Sequence, residues 1–400
     1  MSFKPARRLP LLLLGGALPI LCGMSTPGAQ TTSQPPTQRR ETPQIQALVN
    51  PDGYTSARVC GQCHADIYNS WKKSLHAFSL VDPVFDTAFM QAVKEGGEKA
   101  RRRCLHCHAP MTMMNNDYQL SQQVSREGVS CDFCHTVTAV HLDGRDKPYT
   151  IDLGLVKRSV LKNASSPAHQ VSFSALHAKS EFCGGCHNLI GPGGVAVMST
   201  YDEWRRSPYA AEGVQCQNCH MVLSAGRVVS EAVQESASQI HLHSLIHDSD
   251  QLRRALSVQI TGTQRTVNSL QVEVLVENVG SGHMIPTGMP TREVVLQVTA
   301  ESSGFSKSQE RRYKKVVADA QGKPLEADYQ VILRGSQILS DNRIAPREKR
   351  IERFSFPTWG TKSVKVTATL AYHYTPRLLK VQDINIQLGR DQQVVPSMRK

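Results

Sequence analysis

Five times in this chain two cysteines, with two residues between them, are followed at once by a histidine. The sets are Cys60, Cys63 and His64; Cys104, Cys107 and His108; Cys131, Cys134 and His135; Cys183, Cys186 and His187; and Cys216, Cys219 and His220. This spacing is the attachment signature of c-type haem: two thiols add across the vinyl groups and the next histidine ligates the iron from one face. Ten of the eleven cysteines fall in these pairs, so the pattern accounts for nearly all the thiol in the chain. Structural zinc takes four ligands, usually two such pairs, and would leave one of five stranded. A thioredoxin-type dithiol would be one motif beside a βαβ pattern, not five. The chemistry expected is that of five covalently bound haems c.

What such a centre does depends on the opposite face of each iron. A second strong ligand leaves electron transfer, whereas an open face admits small molecules. The histidines outside the five sets are His76, His106, His141, His169, His177, His241, His243, His247, His283 and His373. His76 is the first candidate. If the stretch from His64 to His76 were one continuous helix, the two would stand about 18 Å apart along it. Two ligands of one iron sit only about 4 Å apart, so His76 is expected to serve a different haem. His169 and His177, ahead of Cys183, are candidates for a neighbouring haem, each against a propionate or loop role. Of His241, His243 and His247, crowded after the last motif, His243 is the choice. His283 lies in a Gly/Pro-rich loop between two expected strands. It either reaches the haem region or is bonded within its own loop. His106 is expected to point away from its own haem, and His141 and His373 have no supporting pattern. Met111, Met113 and Met114 are considered as an alternative ligand, with a core role preferred.

The elements that must position these groups change character along the chain. Residues 1–29 read as an export signal, with Lys4, Arg7 and Arg8 before an apolar run from Leu9 to Leu21 that is too short to span a bilayer. Cys22 as a lipoprotein anchor is the subordinate reading, because Leu21 before it is bulky for such a site. Residues 30–52 read as a disordered linker. Residues 53–250 carry the motifs at irregular intervals and are short on long amphipathic helices and strands, so porphyrin is expected to supply most of the buried apolar surface. Residues 251–388 alternate with period two, as in Leu270-Val272-Val274-Val276, between Gly, Pro and Asn turns, and have no cysteine. Residues 389–400 read as a polar tail. The expected fold class is α+β: a haem-packed, mainly helical and irregular multihaem cytochrome domain, then an all-β, Ig-like sandwich domain.

A net charge of +12 at pH 7 invites a nucleic-acid reading. Part of the excess lies in the leader, and haem propionates would offset much of the rest, a role that suits arginine. Lys99, Arg101, Arg102 and Arg103, just before the second motif, are expected to pair propionates, with docking of an acidic redox partner as the alternative. No nucleic-acid partner is expected, and no transmembrane segment in the mature chain.

Certain residues resemble a known family. They are Cys60-x-x-Cys-His64 with Tyr68-x-x-Trp71-x-x-Ser74-x-His76, Gly128-Val-Ser-Cys131-Asp-Phe-Cys134-His135, Ser180-Glu-Phe-Cys183-Gly-Gly-Cys186-His187, and Tyr201-Asp-Glu-Trp204 before Gly213-Val-Gln-Cys216-Gln-Asn-Cys219-His220-Met221. Residues 53–375 resemble the multihaem c-type cytochromes related to the tetrahaem cytochrome that accepts electrons from hydroxylamine oxidoreductase, with pentahaem and octahaem relatives. The loop Gly282-His283-x-x-Pro286-Thr-Gly288 looks like part of the C-terminal domain often fused to them. The resemblance implies low-potential electron transfer through mainly bis-histidine haems, with His76 as a distal ligand. One departure stands out: many relatives carry His-x-Phe-x-Gly-Gly after the last motif, where this chain has His243-Ser-Leu-Ile-His247-Asp.

The leading function is therefore electron transfer through five covalent haems in the periplasm or at the cell surface, more an electron carrier than an enzyme with its own substrate. The alternative is reduction or oxidation of a small nitrogen or sulfur compound at one five-coordinate haem, although no Cys-x-x-Cys-Lys motif is present. A third reading is a subunit of a haem filament. Implied partners are donor and acceptor redox proteins, the cytochrome c maturation machinery and, as an oligomer, further copies of the chain.

Overall fold

A computed structural model of the chain describes residues 48–144, 147–231, 238–245, 249–357, 362–375, 377 and 382–398. The expected signal at 1–29 with Cys22, the linker up to residue 47, and His247 lie outside the described residues. The described residues fall in one compact unit, Thr42–Lys400. At the end of the expected linker Val49 is already buried, and Asn50 N–H donates to Thr55 Oγ1 at 3.0 Å.

Short helices carry four of the five motifs. Helices Ala57–Cys63 and Ala65–Trp71 are separated at His64, so the stretch running toward His76 is not one helix. The second motif closes the helix Pro83–His108, which starts on an Asp82 cap and kinks at Gly97 (φ 59°). A helix this long was not expected; its polar composition and paired glycines mask it in sequence. Helices Cys131–Thr136, Glu181–His187 and Cys216–His220 hold the other three. Helical spacing puts cysteines i and i+3 on one face and advances the histidine beyond them.

Between the motifs run strand pairs too short to show a period: β1 (Val137–Val140) with β2 (Tyr149–Ile151), β3 (Val156–Ser159) with β4 (Gln170–Phe173), β5 (Leu189–Ile190) with β6 (Ala196–Met198), and β7 (Leu223–Ala225) with β8 (Gln239–His241). Side-chain packing here is confined to small clusters. One gathers Phe89, Ala92, Leu105 and Tyr118, another Met111, Met113, Phe133 and Tyr149.

The strand-rich part follows its alternation. β9 (Leu256–Arg265), β10 (Ser269–Asn278) and β15 (Lys349–Pro357) form a three-stranded antiparallel sheet in the order β15-β10-β9. β12 (Phe305–Tyr313), β11 (Arg292–Ser302), β16 (Val364–Tyr374) and β17 (Ile384–Val395) form a four-stranded one in that order. Leu270 pairs with Phe356 and Val272 with Phe354, all inward; Leu296 and Leu370 do the same on the other sheet. A single apolar cluster joins both sheets. The expected polar tail from residue 389 instead completes β17, which is polar because as an edge strand it leaves much of its length to solvent. β13 (Lys315–Ala318), the helix Asp328–Arg334 and β14 (Gln337–Asp341) pack back on the motif-bearing part: Val317 and Val331 bury Val197, and Leu333 lies against Gly96. No helix among the described residues is long and apolar enough to cross a membrane.

Candidate haem-binding site

The ten motif cysteines are free thiols brought together from distant segments. The thiols of Cys60 and Cys131, of Cys107 and Cys186, and of Cys183 and Cys216 lie close enough to perturb one another. The first motif therefore abuts the third, the second the fourth, and the fourth the fifth. The approach is close enough that a Cβ at Gly185 would meet the Tyr149 ring at 2.5 Å, which explains a glycine inside the fourth motif. Tyr149 O–H in turn donates to Phe182 O at 2.9 Å beside Cys186.

A histidine that ligates metal through Nε2 usually donates its Nδ1–H to a carbonyl, which fixes ring and tautomer. His64 does so to Val228 O (2.5 Å), His108 to Ser79 O (3.0 Å) and His135 to Arg158 O (2.6 Å). At the fifth, His220 Nδ1 meets the Gln251 amide at 3.4 Å. Several histidines outside the motifs share the arrangement: His169 with Gln170 O (3.0 Å), His243 with His241 O (2.7 Å) and His283 with Met284 O (3.0 Å). Burial pushes His76, His108 and His243 down to about 4 and His187 to about 3, so these imidazoles are neutral at pH 7 and hold a free lone pair.

The rings then meet in pairs. Ring centroids lie 6.2 Å apart for His64 and His169, 6.3 Å for His187 and His76, and 6.4 Å for His135 and His243. Two histidines on one iron, with metal–nitrogen bonds near 2 Å and ring centres about 1 Å further out on each side, would stand about 6 Å apart. The donor set thus fits haem iron between paired imidazoles. No group of three His, Cys, Asp or Glu side chains that could hold a bare ion converges among the described residues. Apolar Leu75 and Phe78, flanking His76, are exposed, as surface that lies against a porphyrin would be.

His177 stands differently. Its ring stacks on His135 at 5.7 Å, but Nε2 is spent on Cys134 O at 2.9 Å, while Nδ1 is buried with no partner among the described residues. His108 has Phe85 stacked on it at 3.8 Å, and among the described residues no histidine ring pairs with it. His106 bonds Tyr118 Oη at 3.2 Å, His141 bonds Thr150 Oγ1 at 2.8 Å, His241 bonds Met221 O at 2.8 Å, and His373 lies in β16. Met111 and Met113 are fully buried in the core. In the expected propionate-pairing cluster the arginines have these contacts among the described residues. Arg101 bonds Glu98 at 2.8 Å and covers Phe89, Arg102 covers Tyr118, and Arg103 donates to Ile190 O.

His283 reaches the motif-bearing part on a fixed loop. Asn278 Nδ2 donates to His283 O at 3.1 Å, Ser281 Oγ lies 3.0 Å from His283 Nδ1, and Gly282 packs on Trp204 and Tyr209. His220 is close enough to help depress the His283 imidazole, after burial. The loop is tied down by a buried polar network missing from the sequence expectations. Arg343 bonds Glu203 (2.7 Å), Asp341 (2.7 Å) and Pro286 O (3.1 Å), and Thr287 donates to Glu203 (2.7 Å). Both ion-pair side chains are nearly solvent-free, 5% and 7% exposed. The Tyr201-Asp-Glu-Trp204 stretch was the signal for Glu203; nothing local marks Arg343.

Residues 59–136, spanning the first three motifs, match the family model for cytochrome c554 and c-prime. The fold is similar to that of a penta-haem cytochrome c552 from Thermochromatium tepidum, at 22% identity, over 85% of this chain and 99% of that one, with a TM-score of 0.67. That share takes in both the motif-bearing and the strand-rich parts. Together the motifs, the family match and the fold support a multihaem c-type cytochrome. A β-glucosidase from Kluyveromyces marxianus (11% identity, 36% of this chain, 14% of that chain, TM-score 0.17) and a CARDB domain from Pyrococcus furiosus (13% identity, 29% of this chain, 71% of that chain, TM-score 0.14) are too unlike it to carry any argument. No curated protein matches the chain.

Proposed function

We propose that the chain is an exported pentahaem cytochrome c that carries electrons between redox partner proteins in the periplasm or at the cell surface. The class meant is the one related to the electron acceptors of hydroxylamine oxidation. Bound haem would supply the reversible ferric–ferrous couple. The ten motif cysteines hold the five groups, and His64, His108, His135, His187 and His220 are the proximal ligands. His169, His76 and His243 are the distal ligands opposite His64, His187 and His135, and His283 serves opposite His220. His177 is left outside the set, because its Nε2 is already bonded. The strand-rich part is taken as a β-sandwich domain that caps the haem region and delivers His283.

The observation that carries this reading is the pairing of histidine rings at about 6 Å, with Nδ1 of His64, His135, His169 and His243 tied to backbone carbonyls. A second reading rests on His108, on which Phe85 stacks at 3.8 Å and with which no histidine ring pairs among the described residues. An iron held there would keep a position for a small nitrogen or sulfur compound. Haem quantitation as the pyridine haemochrome, with electron paramagnetic resonance of the oxidised protein, tests both. Five haems with four low-spin and one high-spin signal are expected. Five low-spin signals would remove the enzyme reading, and fewer than five haems would overturn the count.

A further inference from the structure

We propose that Arg292, on the first residue of β11, binds a propionate of the haem attached at Cys183 and Cys186 and thereby sets that haem's reduction potential from the strand-rich part. The inference rests on the haem assignment above.

The guanidinium of Arg292 is held at the seam between the two parts. Nη1 donates to Thr287 O at 3.3 Å, and Thr287 is itself bonded to Glu203 and, at 2.9 Å, to Thr200 of helix Thr200–Arg205. The group lies over Tyr374 at 5.6 Å, and a Cβ at Gly288 would strike Nη1 at 2.6 Å, so the loop is shaped around it. Nε is buried with no acceptor among the described residues. The neighbouring carboxylate, Asp328, is already occupied by Tyr374 O–H at 2.6 Å and by Thr291 O–H, and forms no ion pair with Arg292 among the described residues. The charge of Arg292 is felt at His187, where it adds to the burial and neighbouring histidines that disfavour protonation.

A guanidinium N–H buried without an acceptor is costly and is poised for a carboxylate. Propionates are the anions that haem attachment brings to this seam, and guanidinium matches them better than ammonium. A fixed cation beside a haem disfavours the extra positive charge of the ferric state. Its loss should therefore lower the potential.

The test uses the holoprotein with Arg292→Gln and Arg292→Lys, and His76→Ala to mark which low-spin signal belongs to the His187 haem. Redox titration followed by electron paramagnetic resonance should show one midpoint, that of the marked haem, falling in Arg292→Gln and falling less in Arg292→Lys. The other midpoints should stay in place. Unchanged midpoints with five haems present, a shift at a different haem, or an equal shift at every haem would each overturn the proposal. If Arg292→Gln does not accumulate, Arg292→Lys alone decides through the marked midpoint. A Cys183 peptide without the mass of haem would instead sink the haem assignment beneath it.

Discussion

The His76 and His187 rings face each other with centroids 6.3 Å apart and planes inclined by 35°, so a residue just past the first motif stands opposite the histidine that closes the fourth. A shared iron would cross-link the two segments. Replacing His76 with Ala should convert one low-spin ferric signal to high-spin and leave the haem count unchanged. Retention of every low-spin signal would refute the pairing.

Gly128 holds His76 in place from behind. It has φ +68°, and a Cβ there would lie 2.4 Å from His76 O, to which Val129 N–H donates at 3.0 Å. Gly128→Ala should cost on the order of 1–3 kcal/mol from backbone strain and clash. It should also weaken the same low-spin signal that His76→Ala removes, whereas Gly144→Ala, which meets nothing within 4 Å, should leave the signal intact.

His177 and His243 compete for one role beside His135, and their hydrogen bonds separate them. His243→Ala should cost one low-spin signal. His177→Ala should leave all of them, because its Nε2 already serves Cys134 O. The reverse result would exchange the two assignments.

Glu203 and Arg343 form a buried pair between the parts, and Thr287 is bonded into it. Breaking a buried pair costs about 3–5 kcal/mol, and Asp341 should hold Glu203→Ala near the low end by keeping a partner on Arg343. The urea midpoint measures this. The same variant should loosen the His283 loop and raise the high-spin signal, an effect that simple destabilisation elsewhere would not produce.

Lys315 is buried beside this network, donating to Ser199 Oγ at 2.9 Å, and burial followed by the Arg343 charge lowers its pKa to about 8. The unfolded chain, with an ordinary lysine value near 10.4, binds more protons between these limits, so stability rises with pH from about 8 to 10. Below pH 8 the folded state bears the full cost of charging it, on the order of 3 kcal/mol. The stability gap between the native chain and Lys315→Met should therefore shift in favour of the native chain across that window. A flat difference would show that Lys315 titrates normally.

The proposed attachment residues can be read straight from the sequence, because their spacing is local, as at Cys60, Cys63 and His64. The inward residues of β10 and β16 were equally legible, since strand burial has period two. The proposed distal ligands were not. His169 and His177 look alike in sequence, and only long-range contacts show which ring keeps its Nε2 free. Glu203 and Arg343 read as surface charges until the fold closes over both, and β17 reads as tail because edge strands tolerate polar residues.

The seam built by Glu203, Arg343, Val197 and Val331 also bears on how such a gene can be cut and recombined. A fragment ending near residue 255 would keep all five motifs, yet it would strand a buried carboxylate and bare the valine that β13 and the helix Asp328–Arg334 cover. The C-terminal segment is therefore no detachable accessory. The two halves must be inherited, expressed and altered together, with changes at Glu203 answered by changes at Arg343.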